Sequence, residues 1–214
     1  SDQLDIFSVI GPMAESVLES WIGEPLNLPG YCNHRQFDDG RVVRTDIGYD
    51  LWIPAGHSDK AVRAIAQSGA TAIDHGTWDV LRTEAGIPIY GLDIDETTIM
   101  PELGESGISY DKGCYVGQEV VAKVKYIGHV NRRFTGFRIS GTELPDSRSL
   151  VRKDGKEIGY ITTALWSPGL NAAIGLGFAS WTNSAPGTEV EIDSGGKKLS
   201  ATIVALPFVA DNCS

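Results

Sequence analysis

The octapeptide Lys112-Gly113-Cys114-Tyr115-Val116-Gly117-Gln118-Glu119 sets a thiol between two glycines. Glycine permits tight backbone turns, so this segment can present the Cys114 side chain. A helix opening near Val116 or Gly117 would aim its positive end at the sulfur, and Lys112 adds a cation. Both effects favour the thiolate, the nucleophilic and metal-binding form of cysteine. The competing reading is a buried, inert thiol, the common state of a free cysteine. A second candidate is Glu84. Thr77, Val80, Leu81 and Glu84 share one helical face, which puts a carboxylate on a stripe expected to be buried, whereas Arg82 points elsewhere. Burying a carboxylate unpaired is costly. Glu84 is therefore either a structural pair or water-open edge position, or a ligand-facing group accepting hydrogen bonds from a heterocycle. Thirdly, residues 112–133 carry Lys112, Lys123, Lys125, Arg132 and Arg133 against Glu119, in a chain of net charge −10. Such a local basic stretch suits a small anionic ligand or an acidic partner surface. The alternative is a solvated helix face.

Elements must hold these residues. Leu4 to Ile10 reads as a strand, and Gly11-Pro12 opens a helix with Ala14, Val17, Leu18 and Trp21 on its apolar face. Gly23 suits its exit. Two short strands are expected between Arg41 and Pro54, around Asp46-Ile47-Gly48. Ser58 is expected to cap a second helix, with Ala61, Val62, Ile65 and Ala66 inward and Gly69 at its end. A third helix runs from Thr77 and stops at Gly86. Residues 101–111 form a polar, glycine-punctuated connector, and Val120, Val121 and Val124 mark a short helix. From about Phe134 only strand signals remain, separated by turns such as Lys153-Asp154-Gly155-Lys156 and Ser167-Pro168-Gly169. That spacing indicates a small all-β barrel or sandwich. The expected organisation is an α+β region over 1–100, a connector with the cysteine helix over 101–133, and a β-barrel over 134–214.

Composition narrows the function classes. A length of 214 residues suits one or two domains, and 42% hydrophobic with 21% charged residues reads as an ordinary globular chain. The acidic balance disfavours general binding to nucleic acid or to an anionic membrane. No apolar run approaches the ~18 residues of a membrane span, and the opening SDQLDIFSVIG lacks a basic signal region. The expectation is a soluble, cytoplasmic protein. Cys32, Cys114 and Cys213 form neither a disulfide framework nor a metal site, and the four histidines have no ligand spacing. P-loop, G-x-G-x-x-G, H-E-x-x-H and G-x-S-x-G motifs are missing.

The 112–119 octapeptide, followed by Lys123, Gly128 and Asn131-Arg132-Arg133, resembles the signature of the YgfZ-type folate-binding proteins. These are relatives of the glycine cleavage T-protein, an aminomethyltransferase. The run LRTEAGIPIYGLDID from Leu81 to Asp95 is similar to the folate-site segment of that superfamily. The segments from Ile158 to Pro168, Ile174 to Gly177 and Leu206 to Phe208 resemble its C-terminal barrel. The resemblance implies an α+β T-protein-like folate-binding domain, lacking its N-terminal part, plus the small barrel, with domains around a pit that holds tetrahydrofolate. It implies that Glu84 contacts the pterin, within a segment that also contains Tyr90, and that Arg132 or Arg133 meets the glutamate tail. It further implies a role in assembling or maintaining iron–sulfur clusters in client proteins, with Cys114 required and Lys112 beside it. The alternative it offers is transfer of an aminomethyl or one-carbon unit to tetrahydrofolate. Family members begin upstream of a segment like LDIFSVIGPMA, and in T-proteins that stretch carries an acidic residue tied to aminomethyl transfer. This chain has no position to match it.

Overall fold

The computed structural model describes residues 3–38, 40–105, 107–110, 112–126 and 128–209, so Cys213 lies outside the described residues. The chain divides into two compact units at Asp74/His75. In the first, strands β1 (Leu4–Ile10), β2 (His34–Phe37), β3 (Gly40–Arg44) and β4 (Gly48–Pro54) form an antiparallel sheet of order β1-β4-β3-β2. Helices α1 (Ala14–Ile22) and α2 (Ser58–Gln67) complete the unit. Its core gathers Val9, Leu18, Leu26, Val42, Leu51 and Ile65, with Val17 and Trp21 packed against it. The expected apolar face of α1 is thus the buried one, and Gly23 ends the helix in the left-handed conformation, its N–H donating to the Glu19 carbonyl.

Two expectations fail in this unit. Ser58 is the first residue of α2 rather than its cap; His57 holds the cap position without a side-chain bond. Only Ala61 and Ile65 of the expected inward set are buried, whereas Val62 is 47% exposed and Ala66 is exposed. A helix of ten residues needs only a narrow apolar stripe to dock, so residues one position off the i, i+4 pair face water. Strand β2 also escaped the pattern. It is the sheet-edge sequence HRQF, and its polar residues carry no burial signal.

The second unit runs from His75 and contains helices α3 (His75–Glu84) and α4 (Gln118–Tyr126), with a 3₁₀ turn at Met100–Glu102. The division falls within the 1–100 region, so α3 groups with the barrel. That barrel comprises β5 (Arg132–Ile139), β6 (Leu150–Lys153), β7 (Lys156–Ser167), β8 (Ala172–Ser180), β9 (Glu189–Ser194) and β10 (Lys197–Val204). It closes in the order β10-β5-β8-β7-β6-β9, which removes the unpaired edges of an open sandwich. Asp154 and Gly155 both take positive φ, 50° and 76°, the backbone of a tight hairpin turn. One apolar cluster, including Phe137, Val151, Ile161, Ile192 and Ile203, fills the barrel. A second joins Phe134, Leu176 and Phe178 to Ile94, Leu103, Tyr160, Leu206 and Phe208. No helix among the described residues is long and apolar enough to cross a membrane.

Candidate ligand site and thiol loop

A buried ion pair between α3 and the loop after it, Arg82–Asp93, is hydrogen-bonded to two threonines of barrel strand β7. Arg82, 1% exposed, donates to Asp79 and Asp93 at 2.8 Å each, to the Ile87 carbonyl and to the Thr163 hydroxyl. Asp93, equally buried, accepts from Thr162 Oγ1 at 2.6 Å, Thr163 Oγ1 at 2.7 Å and the Ile89 N–H at 3.0 Å. The expectation that Arg82 points away from the buried side is overturned. Arg82 and Thr83 are the buried positions of α3, while Val80, Leu81 and Glu84 are half-buried and Thr77 is exposed. Hydropathy patterns treat a guanidinium as exposed, yet it can be enclosed when its donors find acceptors and a carboxylate balances its charge.

The carboxylate of Glu84 is fixed from the barrel. Ser167 Oγ, fully buried at the end of β7, donates to Glu84 Oε1 and accepts the Leu170 N–H at 3.0 Å. The Glu84 carbonyl accepts from the Phe208 N–H at 2.8 Å. Ser167 is a neutral donor, so this bond orients the carboxylate without cancelling its charge. Tyr90 is 69% exposed, in the turn closed by its bridge to Ile94. Close by in sequence, Asp95 accepts from the Thr97 hydroxyl at 2.6 Å and the Thr97 N–H at 2.9 Å. Those two bonds hold its carboxyl below the usual carboxylate range.

Strand alternation separates the two arginines of β5. Arg132 donates to Glu102 at 3.1 Å and to Tyr160 Oη at 2.8 Å, with its guanidinium 4.3 Å from the Phe178 ring centre. Arg133 is exposed and lies 5.0 Å from the centre of Trp181, which stacks on His129. Across β8, Arg133 pairs with Ala179 and Ser167 with Ala172. These positions are seven residues apart, about 23 Å of strand at ~3.3 Å per residue. Seven is odd, so by the same alternation Ser167 shares its face of the sheet with Arg132, while Arg133 is on the face of Ala179, which belongs to the cluster filling the barrel.

Cys114 is exposed, in the loop before α4. Helix α4 begins at Gln118, slightly later than the spacing suggested, and buries no residue. Gly117 has φ +88°, a conformation that favours glycine, and a Cβ at Gly113 would meet open space. Lys112 Nζ sits 4.8 Å from the Tyr115 ring centre, and Lys125 Nζ 3.3 Å from that of Tyr110. Lys123 pairs with Glu119 at 2.8 Å. The basic stretch is therefore divided: Lys112, Lys123 and Lys125 belong to the thiol loop and α4, Arg132 and Arg133 to the barrel.

Sequence reasoning missed Ser167 and Asp93. The adjacent threonines Thr162-Thr163 inside an otherwise apolar strand were a usable signal for the buried network. Nothing local linked Ser167 to Glu84, 83 positions away.

Residues 132–210 match the family model of the glycine cleavage T-protein C-terminal barrel domain. The aminomethyltransferase of Halothermothrix orenii is 27% identical over 225 residues, covering 98% of this chain and 62% of that protein. That of Herpetosiphon aurantiacus is 30% identical over 219 residues, 97% of this chain and 60% of its own. The crystal structure of glycine cleavage system aminomethyltransferase T from Bartonella henselae superposes with a TM-score of 0.83 at 21% identity. It covers 96% of this chain and 60% of that one, and shows that the fold is shared. The chain thus spans about three-fifths of the length of these relatives. Together the similarities support the glycine cleavage T-protein superfamily.

Proposed function

We propose that this member of the T-protein fold binds a reduced folate beside α3, and that it serves iron–sulfur proteins through Cys114, as in the YgfZ branch. The observation that carries the folate reading is the Glu84 carboxylate, half-buried and oriented by Ser167. Its chemistry fits the group: a carboxylate accepts from the adjacent N–H donors of a 2-amino-4-oxo heterocycle, and a guanidinium receives a glutamate tail. Arg132 and Arg133 are both candidates for the tail: Arg132 shares the face of Ser167 but is engaged by Glu102 and Tyr160, whereas Arg133 is exposed but on the opposite face of β5. Tyr90, exposed on the loop after α3, offers a ring to the same ligand. The accessory role rests on the solvent-facing thiol within the 112–119 motif, with Lys112 two residues away.

Two measurements test this reading. Glu84→Ala is expected to weaken tetrahydrofolate binding by ~1–3 kcal/mol, the range for removing an acceptor from buried donors. An unchanged dissociation constant by calorimetry would make Glu84 a structural residue only. In cells lacking the gene, wild type should restore iron–sulfur enzyme activity and Cys114→Ala should not. Equal rescue by both removes the thiol from the function. A second reading, aminomethyl transfer, is favoured by the names of the relatives. Formation of methylenetetrahydrofolate from an aminomethylated donor would select it.

A further inference from the structure

We propose that the turn joining β7 to β8 is part of the ligand site: Ser167 orients the Glu84 carboxylate, and Gly169 keeps its flank open. This inference rests on the reading of Glu84 as a ligand acceptor. The backbone at Glu84 is fixed twice, by the buried Arg82–Asp93 network two residues earlier and by the Phe208 N–H on its carbonyl. Its side chain is still a flexible arm. Ser167 supplies the constraint, and it does so with a set proton direction. A hydroxyl has one proton and two acceptor sites. The Leu170 N–H occupies an acceptor site of Ser167 Oγ, and the one proton goes to Oε1 of Glu84. The carboxylate is thereby held from the barrel side, with its charge intact for a donor arriving from elsewhere.

Gly169 completes the arrangement. A Cβ built there would stand 3.4 Å from Oε1 and 3.9 Å from Oε2 of Glu84. Its φ is outside the left-handed region, so the turn does not require glycine at this position. Alanine would fit the backbone and lay a methyl group against the carboxylate. What glycine provides is space beside Glu84. Ser167 is accordingly a positioning residue, and Gly169 a determinant of access.

The test compares wild type, Ser167→Ala, Ser167→Thr, Gly169→Ala, Glu84→Gln and the Ser167→Ala/Glu84→Gln double variant. Tetrahydrofolate affinity is read by calorimetry, alongside melting temperature. Ser167→Ala should weaken binding roughly tenfold or more, the worth of a hydrogen bond to a charged group, and Ser167→Thr should restore most of it. In the Glu84→Gln background, Ser167→Ala should add little, because Ser167 acts through the carboxylate. An equal loss in both backgrounds overturns the positioning role. Gly169→Ala should weaken binding without lowering the melting temperature; unchanged affinity overturns the access role. A ligand-free arm measures side-chain scalar couplings of Glu84 by NMR. One rotamer in wild type and averaging in Ser167→Ala is the expected result, and identical couplings overturn the orienting role. If wild type binds but Glu84→Gln binds equally well, the folate reading of Glu84 fails and Gly169's role with it. Absence of binding by wild type has the same consequence, and Ser167 is then judged by the couplings alone.

Discussion

Alternation along β5 gives Arg132 and Arg133 different surroundings, and their contributions should part accordingly. Arg132→Ala removes the partner of Glu102, itself 7% exposed, and the donor to Tyr160 Oη. Stranding such buried groups costs about 1–3 kcal/mol, so thermal melting should fall. Arg133→Ala should leave melting unchanged, since its ring contact with Trp181 is at the surface. Whichever arginine receives the tail, its alanine variant should weaken tetrahydrofolate more than a pterin lacking the glutamate tail, by competitive calorimetry. Equal weakening of both ligands by a variant would remove that arginine from tail recognition. The resemblance left these two residues undivided, and their neighbours on other strands divide them.

Glycines set the spacing of the barrel elements. Gly159 on β7 and Gly177 on β8 lie where the strands meet: a Cβ would come within 1.9 Å of the Phe178 carbonyl oxygen and 2.2 Å of that of Tyr160. These obstacles are backbone, which cannot yield as a side chain can. Gly177→Ala is therefore expected to lose about 3 kcal/mol or more in denaturant unfolding. Gly113→Ala, with open space at its Cβ, should be silent in the same experiment. In the first unit, Tyr49 on β4 is 3% exposed, and its hydroxyl accepts from Arg44 at 3.1 Å. Burial first, then Glu15, pushes its phenol up to about 12. A pKa raised on folding gives stability that is whole below the unfolded value near 10 and is lost as pH rises towards 12. Unfolding titrations from pH 9 to 12 should show that alkaline loss in wild type and a smaller one in Tyr49→Phe.

The whole molecule divides at Asp74/His75, so that α3 and the loop through Asp93 belong with the barrel. A fragment of residues 75–214 keeps the Arg82–Asp93–Thr162–Thr163 network, whereas one of residues 101–214 takes Asp93 from both threonines and leaves Thr162 only the Leu176 carbonyl at 3.1 Å. The longer fragment should melt at the higher temperature by calorimetry. Equal melting temperatures would show that the network adds no net stability. The same division places Glu84, Ser167, Arg133 and Cys114 in one unit, the one that contains the barrel match at 132–210. Similarity to aminomethyltransferases extends over nearly all of this chain and about three-fifths of theirs, so their whole activity is a proposal for it.

Sequence alone determined what depends on near neighbours. Alternating apolar residues and punctual turns announced the barrel strands, the i, i+3, i+4 spacing fixed the buried side of α1, and the cysteine motif marked the thiol loop. It did not determine which polar groups would meet. Arg82 looked solvent-facing because periodicity weighs each residue by its own hydropathy, whereas its burial depends on Asp93 and on Thr163, 81 positions away. The pairing of Ser167 with Glu84 and the separate surroundings of Arg132 and Arg133 likewise arise only when the strands close. Hydrophobic patterning is local and additive along the chain. Hydrogen-bond partnership is set by which distant segments the closed sheet brings within ~3 Å.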